Sequence, residues 1–376
     1  MPGLLSPAVW RPTPRREDRL RVAVVAPPWY PLPPRGYGGI ELVVSLLARG
    51  LRARGDEVVV AGAESSEPGT VELAPAAWEA DLGGKYGPVR ELTYVARVSA
   101  LLRRAGPFDI IHDHSGFAGL VAATLMDIAP VVHTVHGVLS EPERTFYRTM
   151  HDRADLVAIS SAQRASAPEL PWVSTVHNAV DTSSLLTVPP GDKDGYLLCL
   201  ARICPEKGQH IAIEVARRTG HRLVLAGKVE PTPAGRLYYH TAVAPHVDGS
   251  GVIYHRNVAG REKSELIARA YALVAPIAWA EPFGLSVVEA MASGTPAVSY
   301  ARGAAVELID NGVTGFTVKP DDVEAMTAAV LASADIDPRR CADTARRRFN
   351  PDRMAEKYHR VYSEIAARMV HSAATA

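Results

Sequence analysis

The chain has 376 residues, 47% apolar, 22% charged and 6% aromatic, with 41 Lys+Arg against 41 Asp+Glu. That length exceeds one ordinary domain and suffices to bury large cores. A net charge of zero supplies no long-range field to recruit nucleic acid or an anionic membrane, so any anion site has to be local. Cys199, Cys204 and Cys341 show no CxxC spacing; this speaks against a disulfide framework or zinc ribbon and for a reducing, cytoplasmic compartment.

Residues 1–20 are rich in Pro and Arg, with no apolar h-region after a basic start. They read as a mobile extension rather than a signal peptide. No apolar run approaches the ~20 residues of a membrane span, although peripheral contact with a membrane stays compatible with the sequence. From there short apolar runs alternate with amphipathic stretches. Strands are predicted over 21–26, 57–61, 108–111, 131–135, 156–159 and 173–176. Helices are predicted over 40–54 and 91–104, with others between the later strands. The pattern pauses over 181–195, which contains Pro189, Pro190, Gly191 and Gly195 and reads as a linker. It resumes with strands over 196–200, 223–226, 252–254, 272–276, 297–300 and 315–318, and helices over 208–218, 264–270, 285–292 and 322–332. A last amphipathic stretch covers 352–369. This βαβα order predicts an α/β protein of two doubly wound, Rossmann-like domains, 21–185 and 195–350, facing across a cleft, with 351–376 as a terminal helix. Such sheets bind ligands at the carboxyl ends of their strands.

Four segments lie at those ends. The first strand leads through a Pro/Gly-rich stretch to Gly38 and Gly39 before a helix, where backbone and helix dipole can receive a phosphate; a plain surface loop is the alternative. Arg202 and Lys207 follow the first strand of the second domain, and a guanidinium fork beside a point charge suits a diphosphate; two solvated charges are the alternative. Glu281 precedes the helix whose N-terminus is Phe283, Gly284 and Leu285, and Glu289 lies within that helix. A carboxylate can accept from both hydroxyls of a sugar or ribose diol. The plainer readings are a helix-start carboxylate for Glu281 and an exposed helical charge for Glu289. His112, Asp113, His114, His133 and His136 gather at two strand ends. They do not have the spacing of a helical HExxH metal motif. His133 reads as a core histidine, and His136, directly before Gly137, as the better functional candidate.

Together these segments resemble glycosyltransferase family 4, the retaining family with the two-domain glycosyltransferase B-type (GT-B) fold. The resemblance runs from about Arg21 to Tyr362. It rests on Gly38-Gly39-Ile40-Glu41, His133-Thr134-Val135-His136, Asn178-Ala179-Val180-Asp181, Arg202 with Glu206-Lys207-Gly208, and Glu281-Pro282-Phe283-Gly284-Leu285 with Glu289. The Thr314-Gly315-Phe316 turn and the Phe349 to Tyr362 tail also fit. It implies that Gly38, Gly39, Arg202 and Lys207 hold the donor diphosphate. Glu281 and the backbone of Phe283, Gly284 and Leu285 would hold the donor sugar, and Glu289 the ribose. His136 and Glu281 would act at the reacting sugar, and the terminal helix would cross back to the first domain. His112, Asp113 and His114 are candidates for the acceptor side. The partners implied are a nucleotide-sugar donor, UDP first and GDP next, and an acceptor hydroxyl on a sugar, lipid or natural-product scaffold. No metal or other cofactor is expected. Three positions depart from the family pattern: Ala201 and Ala179 stand for glycines, and Gly303-Ala304-Ala305-Val306-Glu307 for a Gly-Gly-x-Pro-Glu run, which leaves the sugar contacts there open. The competing readings are a nucleotide-sugar epimerase of the same architecture and a catalytically silent sugar-nucleotide-binding protein.

Overall fold

The computed structural model describes residues 19–375 except 66, 76 and 79–81. Residues 1–18 of the predicted extension lie outside the described residues. Its last two residues belong to the fold: Leu20 is buried, and its N–H donates to Asp56 Oδ1 at 3.1 Å.

Seven parallel strands form the first sheet: β1 (Arg21–Val25), β2 (Glu57–Ala63), β3 (Thr70–Ala74), β4 (Ile110–Asp113), β5 (Val131–Val135), β6 (Asp155–Ala158) and β7 (Trp172–Thr175), in the order β3-β2-β1-β4-β5-β6-β7. Six form the second: β8 (Leu197–Leu200), β9 (Leu223–Ala226), β10 (Val252–His255), β11 (Ala272–Ala275), β12 (Ala297–Tyr300) and β13 (Gly315–Val318), ordered β10-β9-β8-β11-β12-β13. Alternate residues of β1 serve opposite faces, as the two-residue strand period demands. Val22 and Val24 pack with Val43, Val44, Leu47 and Leu51 of the helix Gly39–Ala53. Ala23 and Val25 pack with Tyr94, Val98, Leu101 and Leu102 of the helix Gly87–Ala105. Burial on both faces explains why β4 and β5 are buried along their whole length. β3 was not expected. It is a half-exposed edge strand, and its Thr-Val-Glu-Leu-Ala sequence lacks the apolar run that marks the central strands.

Phe349 packs in the second domain's core, and two residues later the helix Pro351–Thr375 begins. Met354, Tyr358, Val361, Tyr362 and Ile365 recur at helical spacing and pack in the first domain's core. A Cβ at Gly50 would lie 2.6 Å from that of Ala355, so glycine sets how closely the terminal helix approaches Gly39–Ala53. The strand order reverses between β1 and β4, and again between β8 and β11. These reversals are the crevices where doubly wound sheets bind ligands. The three cysteines are buried and unpaired. Among the described residues no helix is long and apolar enough to cross a membrane.

Candidate functional site

A cleft of about 700 Å³ separates the two sheets and is lined by the loops after β1, β4, β5, β8 and β11. Gly38, Gly39, His114, His136, Arg202, Lys207, Glu281, Phe283, Gly284, Leu285 and Glu289 all line it. Gly38 has φ 147°, and a Cβ there would meet Pro34 Cβ at 2.7 Å. A Cβ on Gly39 would lie 2.9 Å from Leu285 Cδ1 across the cleft. Leu285 also packs against the cores of both domains. The two helix N-termini, at Gly39 and Leu285, are thus held close together, and both can offer N–H groups to an anion.

Three cations of the second-domain wall are paired with carboxylates. Lys207 Nζ lies 2.6 Å from Glu281 Oε2 and 5.3 Å from the Trp279 ring centre. Trp279 Nε1–H donates to the same oxygen. Arg202 is bonded to Glu230, and Lys263 Nζ lies 2.6 Å from Glu289 Oε1. Lys207, predicted for the diphosphate, and Glu281, predicted for the donor sugar, are therefore each other's partners. Glu289 is buried rather than an exposed helical charge. Glu230, Lys263 and Trp279 escaped the sequence reading. Each stands in an unremarkable local context and becomes informative only through its partner in another loop.

Glu281 is placed by backbone as well as by Lys207. Ala304 N–H donates to its carbonyl at 2.9 Å. Gly303, with φ 54°, sits so close that a Cβ would be 2.3 Å from Glu281 O and 2.4 Å from Glu281 N. The departing Gly303-Ala304 segment thus still buttresses the Glu281 backbone. Gly303→Ala has to displace that backbone and is expected to cost about 1–3 kcal/mol. A lowered melting temperature with reduced turnover checks this; unchanged values for both would contradict it.

Opposite stands a hydrogen-bonded file of imidazoles. His136 Nε2 lies 2.8 Å from His114 Nδ1, and His114 Nε2 lies 3.2 Å from His112 Nδ1. Tyr362 OH reaches His112 Nδ1 at 2.6 Å, and His112 Nε2 lies 2.8 Å from Thr134 Oγ1, itself 2.8 Å from Tyr358 OH. Burial holds His112 and His114 well below the usual histidine range. Burial, with His133 alongside, lowers His136 to about 3. All three rings are therefore neutral near pH 7. Hydrogen-bond accounting then assigns the protons. Buried Tyr362 needs an acceptor, and His112 Nδ1 serves. His112 accordingly carries its proton on Nε2; its one Nδ1 lone pair is shared between Tyr362 O–H and the longer contact from His114 Nε2–H, and His136 then carries its proton on Nε2 as well. His136 Nδ1 is left as an acceptor.

Two of the acceptor-side candidates lie away from the cleft. His112 is fully buried against the terminal helix, its ring centre 4.8 Å from that of Tyr358. Asp113 is buried behind the cleft, where Oδ2 lies 2.7 Å from His133 Nδ1 and Oδ1 accepts from Ser115 Oγ–H. Neither lines the cleft, because β4 is covered on both faces up to its last residue. Of the three, His114 alone does. His133 is a satisfied core histidine, as its sequence context suggests; its Nε2 meets Tyr147 OH at 3.1 Å.

Glu307 ties the domains together. Its carboxylate accepts from Ser161 N–H, Ala162 N–H and His177 Nε2, all in the first domain. Burial raises its pKa, but the bonds from His177 and those two amides outweigh this and bring it down to about 2.

The model of "Glycosyltransferase Family 4" matches residues 37–184, and that of "Glycosyl transferases group 1" matches residues 188–348. The chain is 27% identical to the D-inositol 3-phosphate glycosyltransferase of Mycolicibacterium smegmatis over 425 aligned residues, covering 95% of each. It is 26% identical to the phosphatidyl-myo-inositol mannosyltransferase of Mycobacterium leprae, covering 92% of this chain and 97% of that one. Among solved structures it resembles AviGT4, a glycosyltransferase involved in avilamycin A biosynthesis, with TM-score 0.69, 25% identity and coverage of 93% and 98%. It also shares its fold with Anabaena HepE in complex with UDP-glucose, with TM-score 0.72, 19% identity and coverage of 92% and 100%. With two parallel sheets meeting at their switch points and both halves matched, the chain belongs to glycosyltransferase family 4 and has the GT-B fold.

Proposed function

We propose that this chain transfers a hexose from a nucleoside diphosphate, UDP first, to an acceptor hydroxyl with retention of the anomeric configuration and without a metal ion. The observation that carries this is the opposition of two walls. Arg202, Lys207, the Glu281 tied to it and the helix N-terminus at Leu285 lie on one, and His136 lies on the other. On this reading the diphosphate displaces carboxylates from Arg202 and Lys207 and takes N–H bonds from Gly39 and Leu285. Lys263 and Glu289 face the ribose. Glu281, once released, accepts from donor-sugar hydroxyls, and His136 Nδ1 accepts from another. HepE, whose structure holds UDP-glucose, supports the choice of UDP.

Retention without a covalent intermediate fits a Glu281 carboxylate that, once released from Lys207, is taken up by donor-sugar hydroxyls. A double displacement needs a free carboxylate nucleophile at the anomeric carbon. The departing diphosphate, its charge held by Arg202 and Lys207, can instead take the acceptor's proton on the face where attack occurs. The same cations stand where a metal would neutralise the phosphates. The two Asp-x-Asp pairs, Asp192/Asp194 and Asp335/Asp337, lie away from the cleft lining. Incubation with labelled UDP-glucose and a mixed acceptor set, with and without EDTA, tests the proposal. Expected are a labelled product with the donor's anomeric configuration and turnover that survives EDTA. An inverted product, or activity restored only by Mn²⁺ or Mg²⁺, would overturn it. An epimerised donor would support the epimerase reading instead.

A further inference from the structure

The charges lining the cleft are divided by domain. Its lysines and arginines are Arg202, Lys207, Lys228 and Lys263, all from the second domain. Among the described residues the first-domain wall contributes none, but it does contribute Glu41 and Glu143. Several first-domain cations outside the lining are engaged with other groups. Arg35 pairs with Glu64, Arg144 and Arg148 pair with Glu141, and Arg90 and Arg97 stack on Trp78. The same wall exposes three large apolar side chains: Leu82 at 38%, Phe117 at 45% and Val138 at 39%. Phe117 is held edge-on to Phe146, their ring centres 4.8 Å apart. Apolar groups exposed together in a cleft mark a binding surface rather than a solvated one.

The second wall suits the donor's diphosphate, so the acceptor is left the first. We propose that the acceptor is uncharged and presents an apolar body to Phe117, Val138 and Leu82, with its reacting hydroxyl near His136. This rests on the transferase reading above. The acceptor oxygen bonds to the anomeric carbon as the carbon–oxygen bond to the β-phosphate breaks, and the hydroxyl proton leaves on the departing nucleotide. An anionic acceptor, such as the D-inositol 3-phosphate that one relative is named for, would meet Glu143 and, among the described residues, no cation on that wall.

The test uses the full chain and whichever of UDP-glucose, GDP-mannose and ADP-glucose it consumes. Nucleotide release is followed with 4-nitrophenyl β-D-glucoside, methyl β-D-glucoside or D-inositol 3-phosphate. The nitrophenyl glucoside is expected to give a kcat/KM at least tenfold above either of the others. Phe117→Ala should raise its KM about tenfold while leaving the donor KM within twofold. Equal or better use of D-inositol 3-phosphate or the methyl glucoside, or an unchanged KM in Phe117→Ala, overturns the inference. So does donor hydrolysis that none of the three accelerates, with no calorimetric binding of the nitrophenyl glucoside; that result leaves the transferase reading standing. No consumption of any donor overturns both.

Discussion

Glu281→Gln is expected to lower turnover by about 100-fold while UDP affinity holds or rises. The two effects have opposite signs because Glu281 has two partners at different stages. Its Oε2 holds Lys207 at 2.6 Å and accepts from Trp279. A diphosphate has to take Lys207 from that carboxylate. Glutamine keeps the shape but loses the charge, so Lys207 is freed for phosphate. During transfer the carboxylate's hydrogen bonds to sugar hydroxyls strengthen as positive charge develops on the ring, and a neutral amide does not reproduce that. A charge-assisted bond is worth about 1.5–3 kcal/mol, which sets the scale of the loss. Calorimetry with UDP and single-turnover rates on the same protein separate the two. A parallel fall in both would mean that Glu281 acts by holding the loop rather than the sugar.

Below about pH 6.5 the chain is expected to lose stability steeply, by up to about 4 kcal/mol per pH unit, since each extra proton taken up on unfolding contributes about 1.4. His112, His114 and His136 all have folded pKa values below the usual 6.5, lowered first by burial and then by one another or by His133. Their unfolded forms bind protons first as pH falls, so the unfolded state gains. Stability is therefore full above about pH 6.5 and is lost progressively as pH drops toward the folded values. Glu307 adds to the loss only lower down, between its ordinary 4.5 and about 2. Urea unfolding at pH 7.5, 6.5 and 5.5 checks this. His112→Asn should flatten the slope by roughly one proton. A midpoint that does not move between pH 7.5 and 5.5 would show that the imidazole file opens to water.

The central strands were legible because burial on both faces writes itself into the chain as continuous apolar runs. β5, β9 and β12 fall where those runs do. β3 was not, because an edge strand with one solvated side carries a weaker pattern. The cleft residues at Gly38, Arg202, Lys207 and Glu281 were visible as glycines and charges at strand ends. Their mutual pairing was not, since Lys207 and Glu281 are 74 residues apart. The inward placement of His112 was hidden for the same reason. Its position at a strand end suggests the cleft, but its partner Tyr362 lies 250 residues away on the returning helix and draws the ring inward. The Glu307 tie to Ser161, Ala162 and His177 spans two domains and has no local signature at all.

Titration of UDP into the wild type and into Arg202→Ala and Lys207→Ala tests the donor site most directly. The wild type should bind one nucleotide per chain, and each variant should bind it about 10-fold to 100-fold more weakly, with unchanged circular dichroism. If UDP binding fails, GDP and ADP take its place in the same titration. Affinity that is unchanged in both variants for whichever nucleotide binds, or no binding of any of the three, would contradict a donor diphosphate held between Arg202, Lys207 and the facing helix N-termini.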